Sequence, residues 1–345
     1  MSSLNRVARA LAALCAVAAV AGGAAGCGAG TDLAKVTFQR STVPARPGEQ
    51  TTDDDEDSAG SGTPLTNVGD SAFTTARLRA VDPCGLLDND TLGAFGTPAD
   101  PDPSGIDECG DFMHDSAGDD FDVDVTVGEQ LDDVDSATSK ADGLPVAEDK
   151  ASDGEACFEK IVTQTSPTLG IELQIDYDGH DPCAPARKLA TAIVEHIRTD
   201  PPLRTNSAGS LAAVDPCTTL DTATASAVLG AKPELDPDGL FGCDWRTDGF
   251  DLTVEFSVDS DPKSDTSSGT PKPVNIGVAA YEFPSTDVFP SCEVKWTTKA
   301  DVDSDGDGEV VDVEYDNIDD AAKVDTCAKA VVAAKAVLGK VPRSG

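Results

Sequence analysis

Apolar residues recur at every second position in Phe121, Val123, Val125 and Val127, and again in Phe250, Leu252, Val254, Phe256 and Val258. A period of two with polar residues between predicts strands with one buried and one wet face. Ile171, Leu173, Ile175 and Tyr177 form a second such run, matched by Val311, Val313 and Tyr315, and Cys292, Val294 and Trp296 open another. Elsewhere the period becomes helical. Cys183, Ala186, Ala190, Ile193, Val194 and Ile197 make one stripe, and Cys327, Ala330, Ala334, Val337, Leu338 and Val341 make its counterpart. Pro185 suits the first turn of the former. Two earlier helices are expected to open at the N-caps Asp88 and Asp221 and to close at Gly96 and Gly230. The fold class is α+β: antiparallel sheets, each covered on one face by an N-terminal and a C-terminal helix.

Everything in this pattern occurs twice. Val81-Asp82-Pro83-Cys84 returns as Val214-Asp215-Pro216-Cys217. Cys84, Cys109, Cys157 and Cys183 are spaced by 25, 48 and 26 residues, and Cys217, Cys243, Cys292 and Cys327 by 26, 49 and 35. So long a period denotes duplicated domains, not a solenoid. The first repeat is expected over 76–200 and the second over 208–343. Between them lie Pro201-Pro202 and Ser207-Ala208-Gly209-Ser210, a boundary composition.

The N-terminal region has different grammar. Arg6 and Arg9 precede an uncharged apolar run, Ala10 to Val20, and small residues lead to Ala24-Ala25-Gly26-Cys27. This predicts a secretory signal peptide over 1–26. A cysteine directly after Ala-Gly resembles the lipobox of bacterial lipoproteins, with Ala24 in place of the usual Leu. That resemblance implies cleavage before Cys27, lipidation of its sulfur, and a cell-membrane anchor on the extracytoplasmic face. Residues 27–75 are rich in Gly, Ser, Thr, Pro and Asp, including Asp53-Asp54-Asp55-Glu56-Asp57. Such a stretch buries too little apolar surface to offset its ordering entropy, and it is expected to be a disordered acidic tether.

Ten cysteines and a formal net charge of −38 in 345 residues sharpen the picture. The charge repels nucleic acid. No C-x-x-C occurs, which removes zinc ribbons and thioredoxin-like sites. With Cys15 lost in the signal and Cys27 used by lipid, eight cysteines remain, an even number. Duplication leaves three connectivities within each repeat. The favoured one pairs first with second and third with fourth, because each bridge then staples a helix start to a strand: Cys84 with Cys109, Cys157 with Cys183, Cys217 with Cys243, and Cys292 with Cys327.

The order Asp-Pro-Cys, short capped helix, Cys-x-Trp (Cys243, Asp244, Trp245), Cys-led strand and Cys-led final helix resembles an actinobacterial lipoprotein domain family of unknown function, here in tandem. More remotely it is similar to extracellular sensor domains of mycobacterial receptor kinases. The first repeat has the fuller opening, Asp82-Pro83-Cys84-Gly85-Leu86-Leu87, but Gly110-Asp111-Phe112 in place of Cys-x-Trp. The second has Trp245 but Thr218-Thr219-Leu220 in its opening. The resemblance implies an exported, disulfide-containing α+β domain and supplies no catalytic residues.

Candidate chemistry is sparse. His114, His180 and His196 stand without spaced partners, and no H-E-x-x-H, G-x-S-x-G or P-loop occurs. Trp245 and Trp296 are expected in the core. Asp301-Val302-Asp303-Ser304-Asp305-Gly306-Asp307 has the opening of a calcium loop, which makes Asp301, Asp303, Asp305, Asp307 and Asp312 candidate calcium ligands. Gly308 and Asp312 depart from that pattern, so an acidic hairpin turn is the competing reading. The expected function is non-catalytic: a lipid-anchored binding or sensing protein whose partner is a small molecule, a wall component or an envelope protein. A structural spacer is the alternative, and a carboxylate-based hydrolase acting on wall polymer the less favoured one. Cys27→Ser should release the protein into the medium or block its processing, whereas Cys15→Ser should do neither. Unchanged membrane fractionation and mass in Cys27→Ser would remove the lipobox.

Overall fold

The alternating runs become long strands, and the helical stripes lie across them. The computed structural model describes residues 63–64 and 69–343, apart from 133, 135, 206–208, 287–288, 301–306 and 320–322. The signal peptide, Cys27 and nearly all of the tether lie outside the described residues. In chain order the first repeat holds β1 (Thr63–Pro64), α1 (Thr75–Leu78), α2 (Pro83–Leu86), α3 (Asn89–Leu92), β2 (Thr97–Pro98), β3 (Asp102–Pro103), β4 (Glu108–His114) and β5 (Asp120–Gln130). It continues with β6 (Ser136–Ala137), β7 (Ser139–Ala141), β8 (Leu144–Lys150), β9 (Ala156–Thr165), β10 (Thr168–Asp176) and α4 (Cys183–Thr199). The second holds α5 (Thr222–Leu229), β11 (Glu234–Asp238), β12 (Gly242–Arg246), β13 (Phe250–Asp259), β14 (Lys272–Asn275), β15 (Ala279–Ser285), β16 (Ser291–Lys299), β17 (Gly308–Asn317) and α6 (Thr326–Val337).

Both repeats build the same antiparallel sheet. One runs β2-β4-β5-β10-β9-β8-β7, with β3 also paired to β4, and the other runs β11-β12-β13-β17-β16-β15-β14. In each, the strand after the second cysteine pairs with the strand that precedes the final helix, Ile171 opposite Val127 and Val313 opposite Val254. The final helices α4 and α6 pack on the central strands, α4 on β9 and β10, α6 on β16 and β17. The buried face therefore collects the alternating residues: Val123, Val125, Leu173 and Ile175 in one sheet, and Leu252, Val254, Val313 and Tyr315 in the other. Trp245 and Trp296 are 2% and 1% exposed and belong to this core.

Four disulfides cross from helix starts to strands: Cys84–Cys109, Cys157–Cys183, Cys217–Cys243 and Cys292–Cys327, with Cα–Cα distances of 5.0–5.2 Å. Each closes a loop whose chain entropy in the unfolded state is worth roughly 3–4 kcal/mol.

Two boundaries differ from the sequence expectation. Residues 70–75 belong to the first repeat and not to the tether, since Ala72 and Phe73 are buried in the core and Asp70 pairs with Arg198 at 2.9 Å. The first helix capped by Asp88 ends at Leu92, with Gly93 and not Gly96 at its C-cap. Gly96 has another task. A Cβ there would lie 2.3 Å from the His114 carbonyl oxygen, so only glycine lets the chain run against β4 into β2. The second-repeat expectation holds: Asp221 accepts from the Thr224 amide at 2.7 Å, and Gly230 closes α5 with a φ of 82°.

The repeats are packed together, and their buried residues form one contiguous core. Residues 202–204 fold back on the first repeat, where the Asp82 amide donates to the Pro202 carbonyl at 2.8 Å and the Arg204 amide to the Ala80 carbonyl at 3.0 Å. The Arg204 guanidinium donates to the Ile106 carbonyl. Arg79 reaches the second repeat, donating to the Leu240 carbonyl at 3.2 Å and pairing with Asp215 at 3.2 Å. Leu240 sits against Gly128, where a Cβ would lie 2.1 Å from Leu240 Cδ1 on a backbone with φ of 86°.

Gly128→Ala should therefore cost about 2–4 kcal/mol, combining left-handed backbone strain with overpacking against Leu240. Gly118, whose φ is 90° with open space around it, supplies the control, and Gly118→Ala should cost about 1–2 kcal/mol. Denaturant midpoints of both variants, and of each combined with Leu240→Ala, measure the coupling. A coupling of zero between Gly128→Ala and Leu240→Ala would contradict the contact.

Candidate functional site: an acidic cleft between the repeats

α4 packs on β9 and β10 and α6 on β16 and β17, and the residues that alternate with the buried ones along the central strands are mainly carboxylates. On the first sheet Glu108 and Glu172 flank Thr126 across neighbouring strands, and Asp124 stands opposite Gln174. Strict alternation would send Glu129 to the core with Val125 and Val127. The register prevents this: Ile171 pairs with Val127 and Gly170 with Glu129, so Gly128 is an extra residue, a β-bulge. Its positive φ suits glycine, and the bulge returns Glu129 to the polar face.

This face meets the second repeat in a cleft of about 520 Å³. One wall carries Asp107, Glu108, Asp124, Thr126, Glu129, Gln130, Glu172 and Gln174, and the other carries Asp238, Gly239, Phe241, Gly242, Glu255 and Phe256. Among the described residues, neither lysine nor arginine lines it. Burial pushes the Asp107 carboxyl up to about 6, helped by Glu108 and Glu255 and opposed by Arg204. Burial does the same to Asp124, to about 6, with Glu108, Asp122 and Asp176 adding repulsion. Glu129 rises to about 7 through burial and the negative charges of Asp107, Glu172 and Asp238. Glu172, Asp238 and Glu255 are also raised, each chiefly by burial. Carboxylates of opposite repeats thus repel one another across the gap. Gln130 adds a different feature: its Oε1 is out of solvent and receives no hydrogen bond.

Further along the second sheet, the acidic row is neutralised internally. Lys295 lies 2.8 Å from Glu293, 3.4 Å from Asp312 and 4.0 Å from Asp265, with its ammonium 5.5 Å from the Phe283 ring centroid. This bears on the calcium reading. Asp301, Asp303 and Asp305 lie outside the described residues, and Asp307 immediately precedes β17. Asp312 is within β17, on the sheet face, paired with Lys295.

Two more clusters stand apart from the cleft. Under α4, Arg187 makes a bidentate contact with Glu148, one hydrogen bond of which is 2.6 Å. Neighbouring Glu159 is 1% exposed. Burial and the adjoining Glu148 carboxylate push Glu159 up to about 8, so it keeps its proton at neutral pH. Among the described residues, the one set of three potential metal-ligand atoms within 4.8 Å of one another is Glu148, Cys157 and Cys183, and its two sulfurs are joined in a disulfide. At one end of the first sheet, Tyr177 stacks on His180 at 4.3 Å and donates to Asp115 at 2.7 Å, His180 lies 3.3 Å from Asp119, and His114 pairs with Asp120 at 2.6 Å. His196 is in the last turn of α4.

No protein-family model, curated protein or solved structure matches this chain. The cleft residues were not singled out by the sequence reading. Their one sequence signal is the break of alternation at Val127-Gly128-Glu129, in the middle of a strongly periodic strand.

The raised carboxyls set the pH dependence of stability. Between about pH 4 and 7 the folded protein holds protons that the unfolded chain, with carboxyl pKa near 4, has released. Their contribution is complete below about pH 4 and is lost as pH rises through 6 and 7, so stability should increase as pH falls from 8 to 5. Below that, carboxylates with depressed pKa, such as the Asp221 cap and Asp70, which accepts from the Ala72 amide and pairs with Arg198, lose their partners' stabilisation on protonation. The melting temperature should peak near pH 5, and Glu129→Gln should raise it clearly more at pH 8 than at pH 5. A flat profile between pH 5 and 8 would contradict the burial of these groups.

Proposed function

We propose that this chain is a lipid-anchored binding protein on the extracytoplasmic face of the cell envelope, non-catalytic, with its ligand site in the cleft between two copies of one domain. Each copy, on this reading, is an antiparallel sheet covered by its N-terminal and C-terminal helices and stapled by two disulfides. Four disulfides suit an oxidising compartment, and the Ala-Gly-Cys27 motif and its resemblance to lipoproteins supply the address. The resemblance to actinobacterial lipoprotein domains agrees with both and names no ligand.

The observation that carries the binding reading is the cleft itself. Its volume lies within the range of small-molecule sites, about 300–1,000 Å³. It is lined by desolvated carboxyls and by a buried amide oxygen without a donor, groups that a packed interface of purely structural purpose would pair or exclude. The alternative, an envelope spacer, needs no such lining. The Glu148–Glu159 pair gives no support to a hydrolase, because Glu159 is 1% exposed beneath α4, out of a substrate's reach.

Thermal unfolding of the full-length chain with a panel of probes tests the proposal: spermine, tetralysine, calcium chloride, chitotetraose and citrate, in 150 mM salt, about the physiological ionic strength. A ligand at 100 times its Kd stabilises by about 2.7 kcal/mol, which shifts the melting temperature by several degrees. At least one probe should do so in the native chain and fail in Thr126→Trp, whose indole would occupy the cleft. No shift from any probe would overturn the binding reading in favour of the spacer.

A further inference from the structure

The cleft's carboxyls are spread along two walls instead of converging. Among the described residues no three cleft carboxylate oxygens lie within 4.8 Å of one another, whereas calcium requires about 6–8 oxygens at about 2.3–2.6 Å. A single metal ion therefore cannot satisfy them together. An elongated cation can, because its charges are strung along a chain as the acids are spread along the two walls. We propose that the cleft takes a ligand whose ammonium groups are linked by methylene chains, either a free aliphatic polyamine or the lysine side chains of a peptide. The inference rests on reading the cleft as the ligand site and names the chemistry it recognises.

Three features agree on that chemistry. Glu129 and Glu172 on one wall face Asp238 and Glu255 on the other, and among the described residues no lysine or arginine lines the space between. Gln130 Oε1, out of solvent and without a donor, offers an acceptor that an incoming N–H group completes, and the desolvated Asp107 carboxyl lines the same cleft. Phe241 and Phe256 contribute aromatic side chains to the lining, an apolar surface suited to a methylene spacer. A neutral sugar would leave the acids repelling one another, and an anion would add to the repulsion.

Uptake of such a ligand is coupled to protons. Asp107, Asp124 and Glu129 are partly protonated near neutral pH, and an ammonium group beside them favours the ionised form. The charged groups around them are mostly of the same sign: Glu108, Asp122 and Asp176 near Asp124; Asp132, Asp236 and Asp244 near Asp238; and Glu293 near Glu255. The opposing cations are Arg204 by Asp107, Lys160 beside Glu172, Arg246 by Asp238 and Lys295 by Glu255, and none of the four is among the lining residues. Affinity should consequently rise with pH from 5.5 to 7.5, with protons released on binding.

Calorimetric titration of the full-length chain at pH 6.5, in two buffers of different ionisation enthalpy, tests this with spermine, tetralysine and calcium chloride. Spermine or tetralysine should bind one to one with a buffer-dependent heat that reports proton release. The Kd should weaken at least tenfold in Asp124→Asn/Glu129→Gln and stay unchanged in Glu195→Gln/Glu234→Gln, which removes the same charge from exposed positions outside the cleft. Tighter binding of spermine would assign a free polyamine as the source, and tighter binding of tetralysine a peptide; both support the proposal. Equal weakening in the two double variants would mean diffuse screening and overturn it. Calcium binding in the cleft, tighter than spermine and displacing it, would also overturn it while leaving the binding reading intact. So would a melting shift from chitotetraose or citrate with no binding of either amine. If no probe binds at all, both readings fall together.

Discussion

A strand that buries every second residue must keep the residues between them compatible with water, and this constraint governs both sheets. The helices α4 and α6 take one side of each sheet. The side chains between the buried valines, leucines and isoleucines are then obliged to be polar. In a chain of net charge −38 that means carboxylates for the most part. With aromatic residues only 5% of the chain, the covered face is filled largely by small aliphatic groups, and α6 contributes alanines at Ala330, Ala333 and Ala334. Such a core gains less from burial per residue than one rich in aromatics. The disulfides offset this by tying each helix start to the sheet it covers.

The acidic faces would repel one another if left free. They are brought together by contacts that cross between the repeats: the Arg79 bridge to Leu240 and Asp215, and the close fit of Leu240 on Gly128. Packing on one side of the junction holds like charges near one another on the other. The carboxyls respond by holding protons at pH values where exposed acids are ionised. Lys295 shows the other solution to the same problem, a single cation shared among three acids farther along the second sheet.

Much of this was legible in the residues. The strand period identified Val123, Leu173, Val254 and Val313 as inward-facing, and the helical stripes of α4 and α6 bury nearly every position expected of them. These patterns are local and strong. The early helix of the first repeat was overextended because Gly96 resembles a cap, whereas it is glycine for want of space beside His114. The cleft was illegible for a different reason. Its walls come from two stretches far apart in the chain, one in each repeat, and carboxylates are so abundant that none of them stands out. Only Gly128, interrupting an otherwise regular strand, carried a trace of it, and the reason for that interruption lies across the junction at Leu240.

The Gly128 bulge ties two properties to one residue. It turns Glu129 toward the gap and admits Leu240 from the other repeat, so the wall and the hinge of the cleft share a single backbone distortion. A solitary copy of either domain would possess one wall and no enclosure. Two copies on separate chains would have to meet against their own charge and surrender translational freedom to do so. Joined by the segment around Pro201 and Pro202, each copy presents its partner wall at a fixed, high effective concentration. The enclosed space is thus a property of the linkage between the copies, and fusion of the two halves is what brings it into existence.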